Sequence, residues 1–213
     1  MKLATIVTLG ILLLGACASL NAQPAGTSQV VMAYMNESVP PSATLPGFDG
    51  LCLIYYTLVG DLDLNSLFAG SLFGGLMGQP TVDRAHAYFI WASDYSAQYL
   101  TQNDAFTSFL ITEGTATIYY SSTPEQRRFD LPTDRSSWGE PVATFVRKAG
   151  MFQSTDGGTS GTFASTALLV SSKPFQLNGK TFDFKNLVPY GMTCFETGVG
   201  DYEAGTCIAI GGK

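Results

Sequence analysis

Charge is scarce in this chain. Of its 213 residues only 13% are Asp, Glu, Lys or Arg, where about a quarter is usual. The eleven basic residues form no run, and the net charge is −6, so a phosphate backbone would be repelled; nucleic acid is excluded as a partner. Histidine is nearly absent. His86 stands alone, so any imidazole chemistry must use it. No G-x-S-x-G is present to put a serine on a sharp strand-to-helix turn. No C-x-x-C occurs, which removes a dithiol redox motif and a paired-cysteine zinc site. Gly198-Val199-Gly200 lacks the third glycine and the following helix of a dinucleotide loop. Asp61-Leu62-Asp63-Leu64-Asn65 opens like a calcium loop, but Ser66 and Leu72 stand where its glycine and glutamate are needed. No cofactor and no metal is therefore expected.

What is present begins at the N-terminus. Lys2 precedes an apolar run over residues 6–14 that ends in Leu13-Leu14-Gly15-Ala16-Cys17. A positive start, a short apolar core and then small residues form an export signal, too short for a spanning helix. Cys17 sits where a lipobox has its acylated cysteine, so residues 1–17 are expected to be a lipoprotein-type signal. Plain secretion is the alternative. Cleavage after Ala18 would find small residues at both reading positions, whereas cleavage after Ala22 would meet the larger Leu20. Residues 18–44, rich in Ser, Ala, Pro, Gln and Asn, read as a flexible tether, and residues 45–213 as one β-rich domain large enough for a real core. The expected location is the cell envelope, as an outer-membrane or cell-surface lipoprotein.

With 46% hydrophobic and 12% aromatic residues, so few charges point to folding rather than disorder. From Arg84 onward the chain reads as short β segments between turn residues. Residues 106–112 and 115–122 flank Glu113-Gly114, residues 141–155 and 162–172 flank a glycine-rich loop, and residues 175–177 and 180–184 flank Asn178-Gly179, the strongest short hairpin signal. Counting residues 51–58, about nine strands follow with short connections. Successive hairpins are antiparallel, and such a meander hides its edges by closing. The expected fold is mainly all-β: an up-and-down barrel or a barrel-like sandwich with one short apolar helix. That helix is read over residues 64–77, where Leu64, Leu67, Phe68, Leu72, Phe73, Leu76 and Met77 recur at helical spacing. Its glycines, each costing roughly 1 kcal/mol against alanine, allow it to form only when packed.

Beyond Cys17 three cysteines remain. If residues 192–197 and 206–210 pair about Gly200, Cys194 faces Cys207 and a disulfide closes the hairpin. Cys52, in the apolar run Leu51-Cys52-Leu53-Ile54, is then a free thiol in a core.

These features favour a binding module for a small apolar ligand. Its expected contacts are Tyr88, Ile90 and Trp91 on an early strand, with Leu67, Phe68, Leu72 and Phe73 on a helix gating the barrel mouth. Two other classes compete: a small barrel enzyme of isomerase or hydrolase type, with His86 as the weak catalytic candidate, and a structural or surface-interaction domain without a pocket.

Overall fold

The computed structural model describes residues 30–39, 50–59, 88–103, 105–128, 135–155, 160–199 and 202–211. Ten strands follow in order: β1 (Val30–Val39), β2 (Gly50–Val59), β3 (Phe89–Gln102), β4 (Phe106–Tyr120), β5 (Glu140–Thr155), β6 (Ser160–Ser172), β7 (Phe175–Leu177), β8 (Lys180–Phe182), β9 (Met192–Val199) and β10 (Tyr202–Ala209), with a single turn of helix, α1 (Phe184–Leu187), after β8. Eight strands close into an antiparallel barrel in the order β1-β10-β9-β6-β5-β4-β3-β2. The topology is up-and-down, interrupted once, where the β7–β8 hairpin and α1 are inserted between β6 and β9. The expected all-β barrel is the observed fold.

Strand alternation explains the two faces. Phe89, Trp91 and Ser93 on β3 pair with Tyr120, Ile118 and Ala116 on β4. Ala116 and Ile118 continue to Phe145 and Ala143 on β5, and the row runs on through Leu169 and Ala167 on β6. Phe89, Ala116, Ile118, Ala143, Phe145 and Ala167, with Met192, Cys194, Cys207, Met32 and Tyr34, belong to one buried cluster, against which the partly buried Trp91, Tyr120 and Leu169 pack. They are the interior. The outward positions of β6 instead read Thr162, Ala164, Thr166, Leu168 and Val170.

The insertion fills one end of the barrel. Phe175 packs against Phe89, Tyr120, Phe182 and Phe184 at centroid separations of 5.0–5.9 Å, and Phe184 meets Phe145 edge-on at 6.0 Å. Asn178 and Gly179 both take positive φ (52° and 74°), as the tight turn requires. Asp183 caps α1. Its Oδ1 accepts from the Lys185 N–H at 3.0 Å and from the Ser172 hydroxyl, and its Oδ2 lies 3.3 Å from Lys185 Nζ. Burial is the largest influence on this carboxyl and pushes its pKa up. The hydrogen bonds from Ser172 and Lys185 and the lysine charge together outweigh it, leaving the pKa below the ordinary value. A depressed folded-state pKa contributes stability above the unfolded value, and that stability is lost as pH falls through the folded one. Denaturant midpoints measured on the acid side of pH 4 should therefore fall more steeply for the wild type than for Asp183→Asn. Parallel curves would refute the assignment.

Two expectations are corrected. Residues 30–39, read from composition as tether, form β1, which pairs with both β10 and β2 and closes the barrel. Glu113-Gly114 is not a hairpin turn, because β4 runs through it. The register slips there between Ser96 and Ala97 of the partner strand, and a Cβ on Gly114 would stand 2.1 Å from the Asp94 carbonyl oxygen. The glycine marks a bulge and a close backbone approach. The actual reversal lies at Asn103, whose Oδ1 accepts from the N–H groups of Ala105 and Phe106 at 3.0 and 2.8 Å, an Asx turn.

Candidate functional site

Among the described residues, β2 and β3 share five register pairs, Gly50–Ile54 against Phe89–Ser93. Among the described residues, β3 from Asp94 onward pairs with β4 alone. The inward face of this part of β3 and β4, away from the insertion, carries aromatic rings that the barrel covers incompletely. Phe109 stacks on Phe152 at 4.9 Å and meets Tyr99 at 5.5 Å and Tyr95 at 6.4 Å. Phe152 in turn is in register with Phe163 on β6. Tyr95, Phe109, Phe152 and Phe163 are half-buried, while Tyr99 keeps 59% of its surface exposed. The rings form a row from the barrel rim to its interior.

Arg147 stands at the inner end of that row. The bulge between Arg147 and Ala149 and the inward alternation of β5 place it one inward step past Phe145. It is only 4% exposed. Its Nη2 donates to Ser93 Oγ at 3.2 Å, and its guanidinium carbon lies 5.3 Å from the Phe163 ring centroid and 5.7 Å from that of Tyr95. Ring faces attract a cation, more so where water is excluded. The charge also reaches Asp94. Burial, the largest influence, raises that carboxyl's pKa, but hydrogen bonds from the Thr115 hydroxyl and N–H, the Asp94 backbone and the Arg147 charge leave it lowered overall.

Across the interior, the Tyr34 hydroxyl donates to Glu196 Oε1. The two residues sit on strands either side of Gly205, with which both are in register. A Cβ on Gly205 would lie 2.7 Å from Glu196 Cγ and 2.8 Å from the Tyr34 ring, so glycine makes room for this bond. Glu196 is also opposite Phe163. A cation and an acid thus flank one aromatic ring.

Of the strand residues expected to touch a ligand, Trp91 faces inward and stacks on Phe145 at 5.8 Å. Ile90 lies on the opposite face, 1% exposed, in register with Tyr119, which packs edge-on against Trp138. Tyr88 packs at the edge of the core, and its carbonyl accepts from the Ser121 N–H and from Arg127 Nη2, each at 2.9 Å. Trp91 and Ile90 are therefore not on one surface. Leu67, Phe68, Leu72, Phe73, His86 and Cys17 lie outside the described residues. Cys194 and Cys207 form the expected disulfide. Cys52 is in register with Trp91 and Ser38.

Reading along the chain missed the aromatic row and Arg147. One signal was available: a hairpin about residues 156–159 sets Phe152 opposite Phe163. The bulges that carry Arg147 and Phe109 into the same space leave no such mark. Among the described residues, no group of three His, Cys, Asp or Glu side chains could hold a metal ion. Compared with known proteins, the chain matches no family model, no curated protein and no solved structure.

Proposed function

We propose that this chain is an exported β-barrel binding module that takes a small apolar ligand at the end of the barrel opposite the inserted hairpin. The observation that carries the reading is the half-exposed row Tyr95, Tyr99, Phe109, Phe152 and Phe163, continuous with the barrel interior. An eight-stranded barrel has room inside for its own side chains or for one small ligand. Here one end is filled by Phe175 and Phe184, which leaves the other for an occupant. Rings of this kind offer large apolar contact with little entropy to lose on binding. The Leu-Gly-Ala-Cys sequence ending at Cys17 supports acylation there and a place at a membrane surface in the cell envelope.

Native mass spectrometry of the full chain, expressed with export and purified gently, tests both halves. The expected spectrum shows a discrete added mass that organic extraction removes, together with a covalent acyl mass that Cys17→Ser abolishes. The bare polypeptide mass with one disulfide would overturn the binding reading. It would shift weight to a surface-interaction domain, a second reading favoured by the outer row in which Met151 and Phe195 both pair with Ala164 and stand 40% and 49% exposed.

A further inference from the structure

Resting on that reading, we infer that the ligand is an amphiphile with one unbranched hydrocarbon chain, laid across β3 to β6 with its tail inward and its polar head in water at the Tyr99 rim. The rings of the site are consecutive partners in one cross-strand ladder: Tyr99 with Phe109, Phe109 with Phe152, and Phe152 with Phe163. Neighbouring strands lie about 4.8 Å apart, so rings on four successive strands make an apolar lane roughly 14 Å long. Side chains on one face repeat about every 7 Å along a strand, so the lane is a single side-chain row wide. Behind it, toward the inserted hairpin, Ile111 and Ser165 are 2% and 5% exposed and offer almost no surface. Ahead of it, toward the rim, stand the polar Thr107 and Ser154. A single extended chain matches that outline. A compact or twin-tailed molecule would have to spread onto a closed row or a polar one.

The two ends of the lane differ, and the difference orients the ligand. At the outer end Tyr99 is 59% exposed, and its neighbours Gln98 and Thr101 are exposed and polar, so a head group there keeps its water. At the inner end the ladder passes from Phe163 to Glu196, where the polar groups are engaged with the protein itself. Glu196 accepts from the Tyr34 hydroxyl, and Arg147 donates to Ser93 and lies over the Phe163 ring. A head group driven to that end would exchange water for groups already occupied and lose hydrogen bonds. A terminal methyl has none to lose. The lane therefore reads the length and shape of the chain and leaves the charge of the head unread.

The test titrates unbranched primary alcohols, from hexanol to tetradecanol, into the full chain stripped of co-purified lipid on a hydrophobic resin, with calorimetry at neutral pH as the readout. Affinity should rise about fourfold per added methylene and level off once the chain fills the lane. Dodecanol should bind about tenfold or more tightly than cyclododecanol, whose equal carbon count is folded into a ring that covers only part of the lane. Dodecanoic acid should match dodecanol within about threefold, because a head in water is screened from the interior charges. Phe163→Ala should weaken dodecanol and spare hexanol, whose tail stops short of that ring, whereas Tyr99→Ala should weaken both. A cyclic isomer that binds as tightly as the linear one, a rise in affinity without a plateau, or an acid preferred about tenfold over the alcohol would overturn the tail-inward chain and leave the apolar site standing. Binding of none of the probes would overturn both. The wild-type comparisons and the exposed Tyr99→Ala decide the matter even if Phe163→Ala fails to fold.

Discussion

Phe145→Ala should cost about 3–5 kcal/mol of stability, the range for truncating a fully buried aromatic residue. Phe145 has no exposed surface. It stacks on Trp91 at 5.8 Å and meets Phe184 edge-on at 6.0 Å, so its ring joins the barrel wall to the inserted plug. Neither neighbour can collapse into the vacated space without leaving its own strand or helix position. For a chain of this size the loss corresponds to a fall in Tm of roughly 6–20 °C. Phe195→Ala is the matched control: it removes the same ring from an outward position that is 49% exposed, and it should shift Tm by only a few degrees. Equal shifts for the two variants would mean that the interior and exterior faces are wrongly assigned.

Removing the disulfide with Cys194→Ala and Cys207→Ala together should cost about 2–4 kcal/mol. The bridge joins directly opposed residues of β9 and β10 across a sequence separation of 13. In the chain-entropy account, a loop near that length contributes about 3 kcal/mol by restricting the unfolded state. The cost should also appear as faster unfolding if the hairpin opens early in that process, before the rate-limiting barrier; β10 is the strand that pairs with β1 to complete the barrel. Chemical denaturation of the double variant against the oxidised wild type measures the loss. An unchanged midpoint would show that the unfolded chain is already restricted there without the bridge.

Much of the architecture was legible because it rests on local chemistry. Asn178-Gly179 makes its turn from its own backbone preferences, and the placement of Cys194 opposite Cys207 follows from a symmetric hairpin. Alternation of apolar residues with threonine marks β4 and β6 as half-buried strands. Two segments misled for one reason. Residues 30–39 lie in a longer segment rich in Ser, Ala, Pro, Gln and Asn that resembles a tether, yet β1 is held by neighbours distant in sequence, β10 and β2. Gly114 resembles a turn, yet its role is to admit the Asp94 carbonyl of the adjacent strand.

The candidate site shows the same division more sharply. The sequence by itself determined an antiparallel β fold and the cysteine pairing, since each depends on residues close together or on a simple reflection about a turn. Only the tertiary structure decided which sheet face is the interior. A strand's two faces differ by a single residue step, and closure of the barrel selects between them. That selection turned Trp91 inward and Ile90 outward. With the bulges in β4 and β5, it brought Arg147, Tyr95 and Phe163 together from three strands whose spacing along the chain carries no trace of their meeting.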